Sequence, residues 1–409
     1  MKLKRAVIPI LSAITAAIVF AVVMLTGNAG IITTASAAGG TPVYSSSDLF
    51  TDRDKVQTPD LAGAVEYTAV DGEDIRITEA GTYVLSGTAS GVTVYVEAAD
   101  DAKVQLVLQN LALTNSDFPC IYVLSADKVF VTTAGDSSLA VTGAFRADGA
   151  VKTDGVIFSK ADLVLNGTAS LTIQSTDNGV VCKDDLKITG GTYSVTAESK
   201  AFEANDSIRI LDGAFTIRAG TDAFHAENND DSSKGFIYIG GGSITAACGD
   251  DGIHALTVVQ IDDGALSITA AEGIEATFIR INGGTIEINA TDDGINAANK
   301  SSAVETAVEF NGGTVTVAMG PGDTDGIDSN GNLYINGGVI SVTGNSTFDY
   351  DGTVSFTGGT VYINGQQTAS IPNQMMGGGR GGWGGQGNWG DQGGQGGPGG
   401  RGGHGRGGW

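Results

Sequence analysis

An apolar residue, a glycine-rich turn and a short alternating strand recur eight times between Ile188 and Gly365. The phrases are "ITGGTYSVTA" from Ile188, "ILDGAFTIRA" from Ile210, "IGGGSITAA" from Ile239 and "IDDGALSITA" from Ile261, then "INGGTIEINA" from Ile281, "FNGGTVTVAM" from Phe310, "INGGVISVTG" from Ile335 and "FTGGTVYING" from Phe356. Their last turn glycines are 20 to 29 residues apart. Such a unit is too short for a domain and too long for a hairpin. Apolar and polar residues alternate within each strand, as in Ile286, Glu287 and Ile288, and no helical period runs through the region. Short strands and glycine turns at this spacing predict an all-β parallel β-helix, one coil per repeat. Asn282, Asn311 and Asn336 share one turn position and are expected to stack as an amide ladder. The longest spacings place insertions, "AENNDDSSKG" and "AANKSSAVET", on one edge.

Looser coils precede these repeats. "DLVLNGTASLTIQS" (residues 162–175), "DKVFVTTAGDSSLAVTG" (127–143) and "KVQLVLQNLALTN" (103–115) read as coils, and residues 77–96 as an antiparallel entry or the first coils. The β-helix is predicted to span 75–372, after a linker and N-terminal cap at 38–74. Within that segment Tyr44–Thr68 is the candidate for covering the open end, which otherwise invites edge pairing. Residues 1–37 carry Lys2, Lys4 and Arg5, an apolar run and "ASA" at 35–37, the signature of a cleaved signal peptide. The run is also long enough for an uncleaved anchor, which would be the one route to a membrane. Residues 373–409 are rich in Gly, Arg and Trp, and are expected to be disordered. The expected location is secreted or on a bacterial cell surface, as a monomer.

The formal net charge is −24, and removing the +3 N-terminal segment and the +2 tail leaves −29 on the body. A body this acidic excludes phosphate-directed binding of nucleic acid. It also repels anionic polymers unless a cation intervenes. Three cysteines, Cys120, Cys182 and Cys248, do not make a disulfide framework.

The second half of each coil carries the chemistry. "CGDDGIHA", "AAEGIEA", "TDDGINA" and "DTDGIDS" align on a Gly-Ile step. The residue before Gly then runs Asp154, Asn178, Lys200, Asp222, Asp251, Glu272, Asp293, Asp325. The residue after the apolar position runs Ile157, Val181, Glu203, His225, His254, Glu275, Asn296, Asp328. Cys182 falls among alanines and should fill a small inward slot. Coils of a β-helix stack about 4.8 Å apart, and like charges directly across a ladder destabilise. A carboxylate row therefore needs a positive partner, and no Lys or Arg recurs there beyond Lys200. A hard divalent cation fits, because Ca²⁺ takes six to eight oxygens from carboxylates and carbonyls. Asp292, Asp293 and Asn296, between Glu272/Glu275 and Asp325/Asp328, form the expected shell. His225 and His254 stand in the same column as general base, zinc ligand or polar neighbour of the cation.

The ordered phrases "ITEAGTYVLSG", "KVQLVLQNLALTNSDFPCIYVLSADKVFV", "DGVIFSKADLVLNGTASLTI", "CKDDLKITGGTYSVTA" and "DDSSKGFIYIGGGSITAACGDDGIHA" resemble a family of clostridial-type carbohydrate-binding-domain surface proteins. The match runs over Ile75 to Asn364. The resemblance implies a right-handed, single-stranded parallel β-helix carrying calcium, related to the polysaccharide lyases of family nine, and binding to cellulose and acidic sugars. The lyases' calcium-binding Asp cluster, carried over by position, falls on Asp250, Asp251 and His254, on Asp292, Asp293 and Asn296, and on Asp325 and Asp328. The pattern is broken at Lys200-Ala201 and Asp222-Ala223.

Three functions follow as alternatives. The first is calcium-dependent binding of a plant cell-wall or acidic polysaccharide, polygalacturonate-type or cellulose. The body lacks Trp for a flat glucan platform, and Tyr193, Tyr238, Tyr334 and Tyr362 are expected to pack. The second is β-elimination on a uronate polymer, with the base drawn from Lys183, Lys187, Lys200, Arg209, Arg218 or Arg280. The third is a calcium-stiffened surface scaffold that binds no glycan.

Overall fold

The computed structural model describes residues 41–321 and 324–374. The predicted signal or anchor, and all but the first two residues of the predicted tail, lie outside the described residues. Strands run from Val65–Thr68 to Gln366–Thr368, and the one helix among the described residues is Ser46–Leu49. Successive coils pair in parallel, including residues 77–96, so that stretch forms first coils and not an antiparallel entry.

Each full coil contributes three strands, giving a prism with three parallel faces. In one coil these are Phe236–Ile239, Ser243–Cys248 and Asp251–Ala255, and the next coil repeats them as Val258–Ile261, Ala265–Ala270 and Glu272–Ala276. The glycine turn lies between the first and second faces. Gly284 sits there at φ +86, and a Cβ on it would lie 2.8 Å from the Gly264 carbonyl oxygen, so the turn of one coil seats on the turn below. Beside it the amide ladder forms: Asn311 Nδ2 donates to Asn282 Oδ1, and Asn336 Nδ2 to Asn311 Oδ1, each at 2.9 Å. Inward residues form columns such as Ile268, Ile288, Val317 and Val342, all at most 1% exposed. Cys182 pairs with Ala204 in the small inward column and is fully buried. At the far end Gln366–Thr368 folds back antiparallel on Thr360–Ile363 and blunts the open edge.

The N-terminal segment departs from expectation twice. Val65–Thr68 already pairs in parallel with Tyr83–Ser86, so the β-helix begins there and not at Ile75. Residues 41–57 do not cap an end. They run down the outside of the first face as a strap. Arg280 Nη1 donates to the Pro42 carbonyl, Gln260 brackets the backbone of Tyr44, and Tyr44 stacks on Phe236 at 4.2 Å. Leu49 and Phe50 bury against Tyr238 and its neighbours. Further down, the fully buried Asp54 side chain meets Lys187 at 3.2 Å and Lys128 at 3.5 Å, and Gln57 bonds Thr189 and Gly167. This is why the strand Phe236–Ile239 is buried on both sides. Each fully buried large apolar side chain of the strap contributes about 1.5–3 kcal/mol.

Candidate functional site

The third face carries the acidic column. Phe202, Phe224, Ile253, Ile274, Ile295, Ile327 and Phe348 stack in register and are fully buried. One residue on, Glu203, His225, His254, Glu275, Asn296, Asp328 and Asp349 form the outer column on the same register. Lower down the expected alignment slips by one: Val181 pairs with Phe158, not Ile157. The reason is packing, because Phe158 joins Phe118, Tyr122 and Val181 in an apolar cluster on this face. The column is thus apolar in the early coils and ionised in the later ones.

The Gly of the Gly-Ile step is a close-approach position. A Cβ on Gly294 would run into Val317 Cγ1 and the Gly326 carbonyl oxygen. That fixes where the turn carboxylates stand. Asp251 N donates to Asp222 Oδ1 at 3.2 Å, and Asp325 N to Asp293 Oδ1 at 3.1 Å, so each carboxylate caps the turn of the coil above.

The lower half of the column supplies its own countercharge. Glu203 accepts from Lys183 at 3.1 Å and Lys200 at 3.2 Å, and these ammonium groups hold its carboxyl below the usual range against the opposing effect of burial. His225 Nδ1 lies 2.7 Å from Asp222 and His254 Nδ1 2.6 Å from Asp251, and the two rings stack at 4.4 Å. His254 Nδ1 is also 3.1 Å from Glu275. Burial disfavours the imidazolium of His254, but the bonds to Asp251 and Glu275 outweigh it and push its pKa up to about 9. Lys300, from the second insertion, bonds Glu275 and lies 3.5 Å from His254 Nε2. The second insertion and the column together border an open cleft of about 390 Å³, lined among others by Asp250, Glu272 and Lys300.

The upper half is unbalanced. Among the described residues no Lys, Arg or His nitrogen lies within 4.0 Å of the carboxylates of Glu272, Asp293, Asp325, Asp328 or Asp349. Burial, with Glu275, Asp251 and Asp293 nearby, raises Glu272 to about 7 in spite of its bond from Asn296. Burial and the charges of Asp292 and Asp325 raise Asp293 to about 6. Burial and the charges of Asp293, Asp349 and Asp325 raise Asp328 to about 7. Asn296 is 8% exposed and its Oδ1 has no hydrogen-bond partner, nor has Oγ1 of the equally buried Thr324. Orphaned oxygens beside mutually repelling carboxylates form an all-oxygen donor set of the kind Ca²⁺ takes. The donor chemistry therefore fits that ion, while among the described residues no three of these carboxylates bring ligand atoms within 4.8 Å of one another.

The expected residues do not all converge. Asp251, His254 and Glu275 come within 4.8 Å of one another through their ligating atoms. Glu272 shares the strand of Glu275, and Asp293, Asn296, Asp325 and Asp328 lie on the coils above. Asp250 and Asp292, the first of each Asp pair, are exposed at the turns. Among the expected base candidates, Lys187 is buried on Asp54, Arg280 is tied to Glu309 and Pro42, and Arg209 to Asp185. Arg218 is exposed on the second face. Tyr193 and Tyr238 are 1% exposed and pack in the interior and under the strap. Two site residues escaped the sequence reading. Asp349 pairs with Asp328, but "STFDYDG" lacks the Gly-apolar step that marks the column. Lys300 lies in an insertion, where no register exists.

Comparison with known proteins identifies the family. The family described as "Carbohydrate-binding domain-containing protein" matches residues 71–324 and 274–370. A carbohydrate-binding domain-containing protein of Acetivibrio thermocellus is 32% identical over 223 residues, covering 53% of this chain and 77% of the relative. A solved polysaccharide lyase-like protein from C. thermocellum, in a gadolinium derivative, is 24% identical, with a TM-score of 0.40 over 74% of this chain and 94% of that one. The chain belongs to the family of carbohydrate-binding domain-containing proteins.

Proposed function

We propose that the protein is an extracellular binder of acidic polysaccharide, polygalacturonate being the type case, and that calcium forms the bridge. One observation carries this reading. Five carboxylates of the upper column, Glu272, Asp293, Asp325, Asp328 and Asp349, stand without a countercharge on the coils at and beside Asn296, whose Oδ1 is orphaned. Glu272, Asp293, Asn296, Asp325, Asp328 and Asp349, on four successive coils, would hold calcium along the column, and calcium supplies positive charge that a uronate carboxylate can share. A polymer of neutral glucose offers no such ligand. The body charge of −29 would repel a uronate chain without the ion. Family membership supports a carbohydrate partner. The basic, apolar and small-residue pattern of residues 1–37 supports export.

The test is retention on immobilised polygalacturonate and on cellulose, each in calcium and in chelator. Retention on polygalacturonate in calcium alone is the expected result. Equal retention on cellulose in chelator would overturn the reading.

A further inference from the structure

The lower column holds a second arrangement that the calcium reading does not use. His225 and His254 occupy equivalent positions on adjacent coils. Each Nδ1 is engaged by the Asp three residues earlier, Asp222 at 2.7 Å and Asp251 at 2.6 Å. An Asp on Nδ1 fixes the tautomer and orientation of an imidazole and leaves Nε2 as the outward ligand, the second layer found around most metal-binding histidines. The two rings stack 22° apart with centroids 4.4 Å apart, and each turns Nδ1 to its own Asp. Glu227, the second residue of the first insertion, meets His225: its Oε2 is 3.3 Å from His225 Nε2. The ligating atoms of His225, His254 and Glu227 all lie within 4.8 Å of one another. Two ligands on one tetrahedral zinc ion are separated by roughly 3.3–3.5 Å, given bonds of about 2.0–2.1 Å.

The chemistry differs from the upper column. Imidazole nitrogen suits zinc and its neighbours, whereas calcium takes oxygen. Lys300 now places its ammonium 3.5 Å from His254 Nε2, where a cation would sit, and so competes with it.

We propose that His225, His254 and Glu227 form a site for a divalent transition-metal ion of the zinc class, oriented by Asp222 and Asp251 and separate from the calcium group. Such an ion ties the first insertion to the column, because Glu227 begins the loop that ends at Lys234, itself 2.6 Å from Asp206. The first insertion in turn touches the second, where the Ser301 hydroxyl donates to the Ser232 carbonyl at 2.6 Å.

Cobalt(II) serves as the probe, in untagged full-length protein under saturating calcium. The chain has three histidines, so the background variant is His404→Gln, which removes the one outside this site. The expected result is one cobalt ion per chain with the visible absorption of low coordination. Zinc should displace it. His225→Asn should weaken binding at least ten-fold. Glu227→Gln, at the edge of the column, should do the same without disturbing the fold, and Lys300→Gln should tighten binding. Asp328→Asn should change calcium binding and leave the cobalt titration unmoved. No cobalt uptake in calcium, or the parent's affinity retained in both His225→Asn and Glu227→Gln, would overturn the proposal. Equal loss in Asp328→Asn would make it one shared site and overturn it as well.

Discussion

Asn296 Nδ2 donates to Glu272 Oε2 at 3.1 Å, while Oδ1 of the same buried amide has no partner. The amide thus answers one carboxylate and presents an acceptor to a space already lined with acceptors. A cation resolves that conflict, and an orphaned buried acceptor otherwise costs about 1–3 kcal/mol. Asn296→Ala should therefore weaken calcium binding at least ten-fold in calorimetric titration, equivalent to about 1.4 kcal/mol. An unchanged titration would remove Asn296 from the shell.

The carboxylate pKa values predict an unusual pH dependence. Glu272, Asp293 and Asp328 are raised to about 7, 6 and 7, above ordinary carboxylate values of about 4. A group raised in the folded state contributes stability at pH below its unfolded pKa and loses it as pH rises through the folded one. In chelator, the melting temperature should fall between about pH 4 and pH 7 from these groups. Calcium should flatten that fall, because it binds the ionised forms. Parallel pH profiles with and without calcium would contradict the assignment.

The strap makes an opposite prediction. Asp54 is held below the usual carboxylate range, against burial, by Lys187, the Thr51 amide and Lys128. Its contribution is present above the unfolded pKa and is lost as pH falls through the lower folded value. Asp54→Asn leaves two lysines facing a neutral group and should cost about 3 kcal/mol or more, the scale for breaking a buried pair. Denaturant unfolding measures the loss, and limited proteolysis should cut near residues 41–57 first.

Much of the candidate site was legible because the Gly-Ile step repeats. From Glu203 to Asp328 the aligned column is the observed one, since a single-residue slip would turn the whole inward set to the outside. The slip at Ile157 arose where aromatic packing, not charge, occupies the outer position. Asp349 and Lys300 carry no repeat phrase. The strap was illegible for a different reason. Tyr44, Leu49 and Phe50 follow no period, and their partners Phe236, Tyr238 and Phe278 read simply as strand residues. Only the continuous burial of those strands hints that something covers their outer side.

Gly294 tests how coil spacing sets the column. Gly294→Ala forces a methyl against Val317 and the Gly326 carbonyl and should cost about 1–3 kcal/mol through overpacking. It should weaken calcium binding as well, because Asp293 is its chain neighbour and Asp325 N is anchored on Asp293. Loss of stability with intact calcium affinity would separate the two roles.

The most direct measurement is co-sedimentation of the protein with insoluble polygalacturonate in calcium and in chelator, beside an Asp293→Asn/Asp328→Asn variant. The account predicts that the protein pellets only in calcium, and that the folded variant stays in the supernatant in both. Pelleting in chelator, or equal pelleting of the variant in calcium, would contradict a calcium bridge at the upper column.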